Sequence, residues 1–124
     1  MNLKETLLDI DDQKEMIISL INPKAFPHNV NYIKVKETPM SWIIMTGLYA
    51  YKIKKIMMAN KTEERSKINR LIACKNEIEL NSKLSPRLYI GVSKIIIKEE
   101  GPIFSDPKNI DDNNINFLDV ATKM

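Results

Sequence analysis

The chain has 124 residues, 44% of them hydrophobic and 28% charged, and 19 Lys+Arg against 16 Asp+Glu leave a formal charge of +3. That is ordinary globular composition, at a length that supports one domain with one core. One cysteine excludes an internal disulfide or a Cys-built metal site, one histidine excludes most zinc and His-base chemistry, and no Lys/Arg block is long enough to track nucleic-acid phosphates.

The longest wholly apolar runs, such as residues 42–45, are only four residues, far short of the roughly 20 needed to span a bilayer. The first residues show no charged-then-apolar signal layout. The expectation is therefore a cytoplasmic protein with neither membrane nor nucleic acid as a partner.

Residues 3–22 place Leu3, Leu7, Ile10, Ile17 and Ile21 at three-, four- and seven-residue spacings, which predicts an amphipathic N-terminal helix. Pro23 ends it, because the residue before a proline resists the helical region. A turn follows at 27–29, and His28 reads as a turn or capping residue. From Tyr32 the period becomes two, with Ile33 and Val35 on one face and Lys34 and Lys36 on the other. Residues 41–46 and 49–55 read as two more strands, separated by Gly47-Leu48. Connections this short require antiparallel hairpins, so residues 31–56 form a three-stranded meander. Pro39 has no N–H to give a ladder and belongs in its first connection.

A long helix is predicted over 62–84, with Thr62 as N-cap and Glu63 and Glu64 in a first turn that favours acids. Ile68, Leu71, Ile72 and Ile78 make one stripe, and Ala73, Glu77, Leu80 and Leu84 a second face. Glu77 would then be a carboxylate on a partly apolar surface, in need of a cation or water. Cys74 reads as a small buried hydrophobe and Trp42 as sheet packing. Ser85-Pro86 ends the helix. A fourth strand spans 88–97, with Gly91 as a bend inside it. Residues 98–114 read as an exposed acidic loop, whose spacing matches no Ca²⁺ loop. A fifth strand spans 115–124. The fold class is α+β: a five-stranded antiparallel sheet with one long helix packed on it and an N-terminal helix, the order of a kinase-like small lobe.

The third strand reads Ala50-Tyr51-Lys52, with Ala50 and Lys52 on one face. In kinases such a strand lysine holds the α/β-phosphates of ATP and pairs with a glutamate of the next helix. Longer wording points the same way. FPHNV (26–30), ETPMSWIIMTG (37–47) and AYKIKK (50–55) stand in order. Arg70, Cys74, Glu77, Leu80, Asn81, Leu84 and Pro86 follow, and then LYIGV (88–92). Over residues 15–97 this resembles a bacterial family of aminoglycoside-phosphotransferase-like proteins, often fused to a P-loop ATPase-type domain. The resemblance implies a nucleotide-binding small lobe with ATP as cofactor. Lys52 would be the phosphate lysine, Glu77 its helix partner and Ala50 the strand alanine. Thr38 and Ser41 would bound the turn over the phosphates. Where the family has Thr-His in that turn, this chain has Thr38-Pro39, one backbone donor fewer.

The catalytic loop and the Mg²⁺ carboxylates of such enzymes lie in a second lobe, and no matching motif occurs in these 124 residues. Mg²⁺ is thus expected only with a second lobe, no residue here is assigned as catalytic, and the chain alone is expected to be inactive. The expected partner is a separate C-terminal lobe or a second copy of the chain. The alternative reading is a non-catalytic remnant or interaction module that keeps only the fold.

Overall fold

The computed structural model describes residues 9–57, 65–107 and 117–124. In chain order these form helix α1 (Ile10–Ser19), a 3-10 turn (Pro23–Ala25), strands β1 (Lys34–Glu37), β2 (Ser41–Met45) and β3 (Ala50–Lys54), helix α2 (Lys67–Ser82), and strands β4 (Gly91–Lys98), β5 (Gly101–Phe104) and β6 (Asp119–Lys123). All strand pairs are antiparallel, in the order β1-β2-β3-β6-β4-β5. The last strand thus inserts between β3 and β4 and becomes the most deeply buried of the six.

Asp9 caps α1, its carboxylate accepting the Asp12 N–H at 2.8 Å. That backbone bond holds the Asp9 carboxyl below its usual range. The helix begins at residue 10, and the first half of the predicted segment, with Leu3 and Leu7, lies outside the described residues. Its inward line is Gln13, Met16, Ile17 and Leu20, whereas Ile21, expected on that face, is half exposed. Ile17 is buried as the spacing predicts, while Leu20 takes the inward place expected of Ile21. Gln13 takes an inward site because it is hydrogen-bonded there, as described below.

β1–β3 form the expected meander. Its second connection needs Gly47, which holds φ at +109°, and a Cβ there would lie 2.9 Å from the Asn31 side chain. Among the described residues the sheet has six strands, not five. The segment expected to be an exposed loop from 98 turns at Gly101 (φ +123°) into β5, pairing Lys98 with Gly101 and Ile95 with Phe104. Burial of Phe104 stabilises that hairpin, and Pro102 is tolerated because β5 is an edge strand. β4 starts at Gly91 instead of Leu88, so this glycine opens the strand and is not a bend within it. The rest of the predicted acidic loop, 108–116, lies outside the described residues.

Alternation along the strands splits the core between two faces. Ile44, Tyr51, Ile53, Ile95, Phe104 and Ala121 pack with Met16, Ile17, Leu20, Ala25 and Phe26 of the α1 segment. On the other face Leu71 of α2 packs with Val92, Phe117 and Val120, joined by Cys74, Ile78 and Ile96. The larger core is therefore under α1, not under the long helix. α2 runs 67–82 with Ser66 as N-cap, while Thr62, Glu63 and Glu64 lie outside the described residues. Ile68, Ile72, Leu80 and Leu84 are exposed. The helix has apolar residues on more than two sides, so its periodicity alone does not select the buried one. Its inward line is Arg70, Leu71, Cys74 and Ile78.

His28 does more than turn the chain. Its Nδ1 lies 2.9 Å from the Asn29 carbonyl, which only accepts, so in the neutral ring Nδ1 is the donor. Nε2 then accepts the hydroxyl of fully buried Tyr51 at 2.8 Å. The ring also packs 4.5 Å from Tyr49, and the Lys123 ammonium lies over Tyr49 at 4.3 Å.

Candidate functional site

Tyr51 and Lys52 are neighbours on β3 and so face opposite sides of the sheet. Tyr51 enters the core under α1. Lys52 points to the α2 side, as Lys54 does two residues on. Leu71 of α2 packs on Val92 of β4 and Val120 of β6 and not on β3. A cavity of about 540 Å³ remains between helix and strand. Among the residues lining it are Ser41, Lys52, Lys54, Lys55, Glu77 and Thr122, with Arg70 and Cys74 of α2 also at its wall.

The Lys52 ammonium stands 3.7 Å from a Glu77 carboxylate oxygen, and both side chains are close to 40% exposed. A pair this wet contributes less than about 1 kcal/mol to folding. Its significance is that it orients an ammonium at a cavity mouth. Lys55 pairs with Glu37 at the exposed end of the meander and lies over the Trp42 ring.

Of the residues expected at the site, the structure brings Lys52, Glu77 and Ser41 to one cavity. Ala50 and Thr38 do not line it. Ala50 is occupied at the start of β3, exchanging backbone hydrogen bonds with Met124. The turn from Thr38 to Ser41 closes on itself. Thr38 N–H donates to the Ser41 carbonyl at 2.9 Å, and Ser41 N–H donates to Thr38 Oγ1 at 2.9 Å. With Pro39 lacking an N–H, only Met40 offers an uncommitted backbone donor within the turn.

The deepest polar feature lies where β3 and β6 separate. β3 and β6 pair at Tyr51↔Lys123 and Lys52↔Thr122, continuing from the Ala50–Met124 backbone exchange, and part beyond Lys52. Beyond that point the Lys54 carbonyl and the Ile56 N–H have no strand partner. Arg70 and Gln13 supply one. Arg70 places Nη2 on the Lys54 carbonyl at 2.6 Å and grips Asp119 with Nε to Oδ1 at 2.8 Å and Nη2 to Oδ2 at 3.1 Å. Gln13 donates to the same carbonyl at 2.9 Å and to Asp119 Oδ2 at 3.1 Å, and accepts the Ile56 N–H at 2.9 Å. The sequence signals were a glutamine inside an apolar helix period and an aspartate opening an apolar strand. Each is costly when buried unless partnered.

Cys74 lies on the same wall, 3.3 Å from Thr122 Oγ1. Burial pushes its thiol above the ordinary value of 9.0, against a smaller opposing effect of the Thr122 hydrogen bond. It is therefore a protonated thiol near neutral pH.

No family model matches the chain, and no solved structure matches it. It is similar to uncharacterized proteins of Mycobacterium tuberculosis and Mycobacterium bovis, at 33% identity over 64 residues, 52% of this chain. The match spans only 13% of the length of these curated relatives. No helix among the described residues is long and apolar enough to cross a membrane.

Proposed function

We propose that this chain is the nucleotide-binding small lobe of an aminoglycoside-phosphotransferase-like kinase, with ATP as the ligand of the cavity between β3 and α2. The observation that carries this reading is the Lys52–Glu77 pair, 3.7 Å apart at a cavity of about 540 Å³. A phosphate-holding ammonium must be fixed in direction, and a carboxylate from a packed helix does this. Lys54 adds positive charge on the same side, which suits a phosphate chain, whereas the Lys55 ammonium is already paired with Glu37. Among the described residues Glu77 is the one carboxylate of the lining, and Lys52 engages it. The lining therefore does not fit Mg²⁺, and the residues present act on the phosphates by charge and position alone. A catalytic base and metal carboxylates would come from a second lobe, so the chain alone binds weakly and turns nothing over.

The closed 38–41 turn favours a second reading, a module that keeps the fold without the ligand. ¹H–¹⁵N NMR titration of the chain with ATP, with inorganic triphosphate as a comparison, separates the two. The proposal expects millimolar ATP to shift the amides around Lys52, Lys54 and Glu77, and Lys52→Ala to abolish those shifts. Unmoved spectra, or shifts indifferent to Lys52→Ala, favour the second reading.

A further inference from the structure

We infer that the Arg70–Asp119 clamp, steadied by Gln13, sets where α2 stands against β3 and thereby brings Glu77 to Lys52. The inference concerns positioning residues and rests on the reading of Lys52 and Glu77 as the ligand-holding pair. α2 meets β3 at two rungs. One is Arg70 Nη2 on the Lys54 carbonyl at 2.6 Å, and the other is Glu77 on Lys52 at 3.7 Å. Seven residues separate Arg70 from Glu77, almost two full turns, so both lie on nearly the same azimuth of the helix. The two contact points on β3, the Lys54 carbonyl and the Lys52 ammonium, belong to residues only two apart on the strand. Fixing Arg70 thus fixes the rotation that aims Glu77.

The two rungs differ in strength. The Lys52–Glu77 pair is half exposed and too weak to hold a helix. The Arg70 and Asp119 side chains are 6% and 0% exposed and meet through two parallel charge-assisted bonds. Apolar contacts do not provide the same definition, because Ile68, Ile72 and Leu80 are exposed and would pack as well if the helix turned. Gln13 binds the same two acceptors from the opposite side of the sheet. A shift of α1 therefore reaches the cavity through Asp119 and Lys54.

The test reads proximity without any nucleotide. A zero-length carbodiimide joins a lysine to a carboxylate only when they touch, and peptide mass spectrometry quantifies the Lys52–Glu77 link. In the paired variant Arg70→Met/Asp119→Leu, apolar groups replace a buried ion pair, an exchange that folds tolerate. The expected result is a folded protein by circular dichroism with the link reduced about tenfold, because coupling follows the fraction of time the groups are in contact. Arg70→Lys, which keeps the charge but not the two-bond geometry, gives an intermediate yield. Gln13→Leu lowers it as well. An unchanged yield in the folded paired variant overturns the inference. If that variant does not fold, an unchanged yield in Arg70→Lys overturns it, and if neither folds, the clamp is a support of the core and not a positioning device. Failure of ATP to bind the native chain while the link still depends on Arg70 would instead count against the nucleotide reading alone.

Discussion

Arg70 and Asp119, 49 residues apart in sequence, face each other through two hydrogen bonds of 2.8 and 3.1 Å where β3 and β6 separate. The pair occupies the gap left by two diverging strands, and Arg70 satisfies the Lys54 carbonyl that the ladder abandons. Removing one partner leaves the other as an uncompensated buried charge. Arg70→Ala and Asp119→Ala should therefore each lower unfolding free energy by about 3–5 kcal/mol, read by urea denaturation. A loss below about 1 kcal/mol for either would mean that water reaches the pair.

Lys52 should separate stability from ligand contact. Its ion pair is half exposed, so Lys52→Ala should change unfolding free energy by less than about 1 kcal/mol. The same variant should remove the ATP-dependent NMR shifts. A large stability loss would instead assign Lys52 a structural role.

Two groups, the buried Tyr51 and the partly buried Cys74, make the fold sensitive to alkali. Burial raises the Cys74 thiol above its ordinary 9.0 and the Tyr51 phenol above its ordinary 10.0. Above those ordinary values the unfolded chain has released protons that the folded chain still binds, so stability falls as pH rises. Below them both states are protonated and these groups add no slope. Thermal melts should hold a level midpoint until pH approaches 9 and decline beyond it. Cys74→Ala and Tyr51→Phe should each flatten the decline, and a slope unchanged in both variants would show that other groups cause it.

The β2–β3 connection should tolerate no side chain at Gly47. Its φ of +109° disfavours any L-residue, and an added Cβ would approach Asn31 Nδ2 to 2.9 Å. Gly47→Ala should cost about 1–3 kcal/mol in urea denaturation. Asn31→Gly should recover only the clash and not the backbone strain.

The meander is legible from local sequence, because the period of two in the strands between Tyr32 and Lys54 and the Gly47 turn act between residues close in the chain. The sequence also placed Lys52 and Glu77 on elements that follow one another, which made the half-exposed pair legible. The sixth strand was hidden because β5 is only four residues long and includes a proline, and its pairing depends on Phe104 reaching a core built by Phe26 and Tyr51. Tertiary structure also decided which side of α2 faces the sheet. Apolar residues occupy several sides of that helix, and the inward one is where Leu71 packs on Val92 and Val120 and Arg70 meets an aspartate 49 positions away. Gln13 is similar, bonded to residues 41, 43 and 106 positions distant. Periodicity reports which residues a local element can bury, whereas a buried polar partner is set by where two strands part, and that depends on the whole sheet.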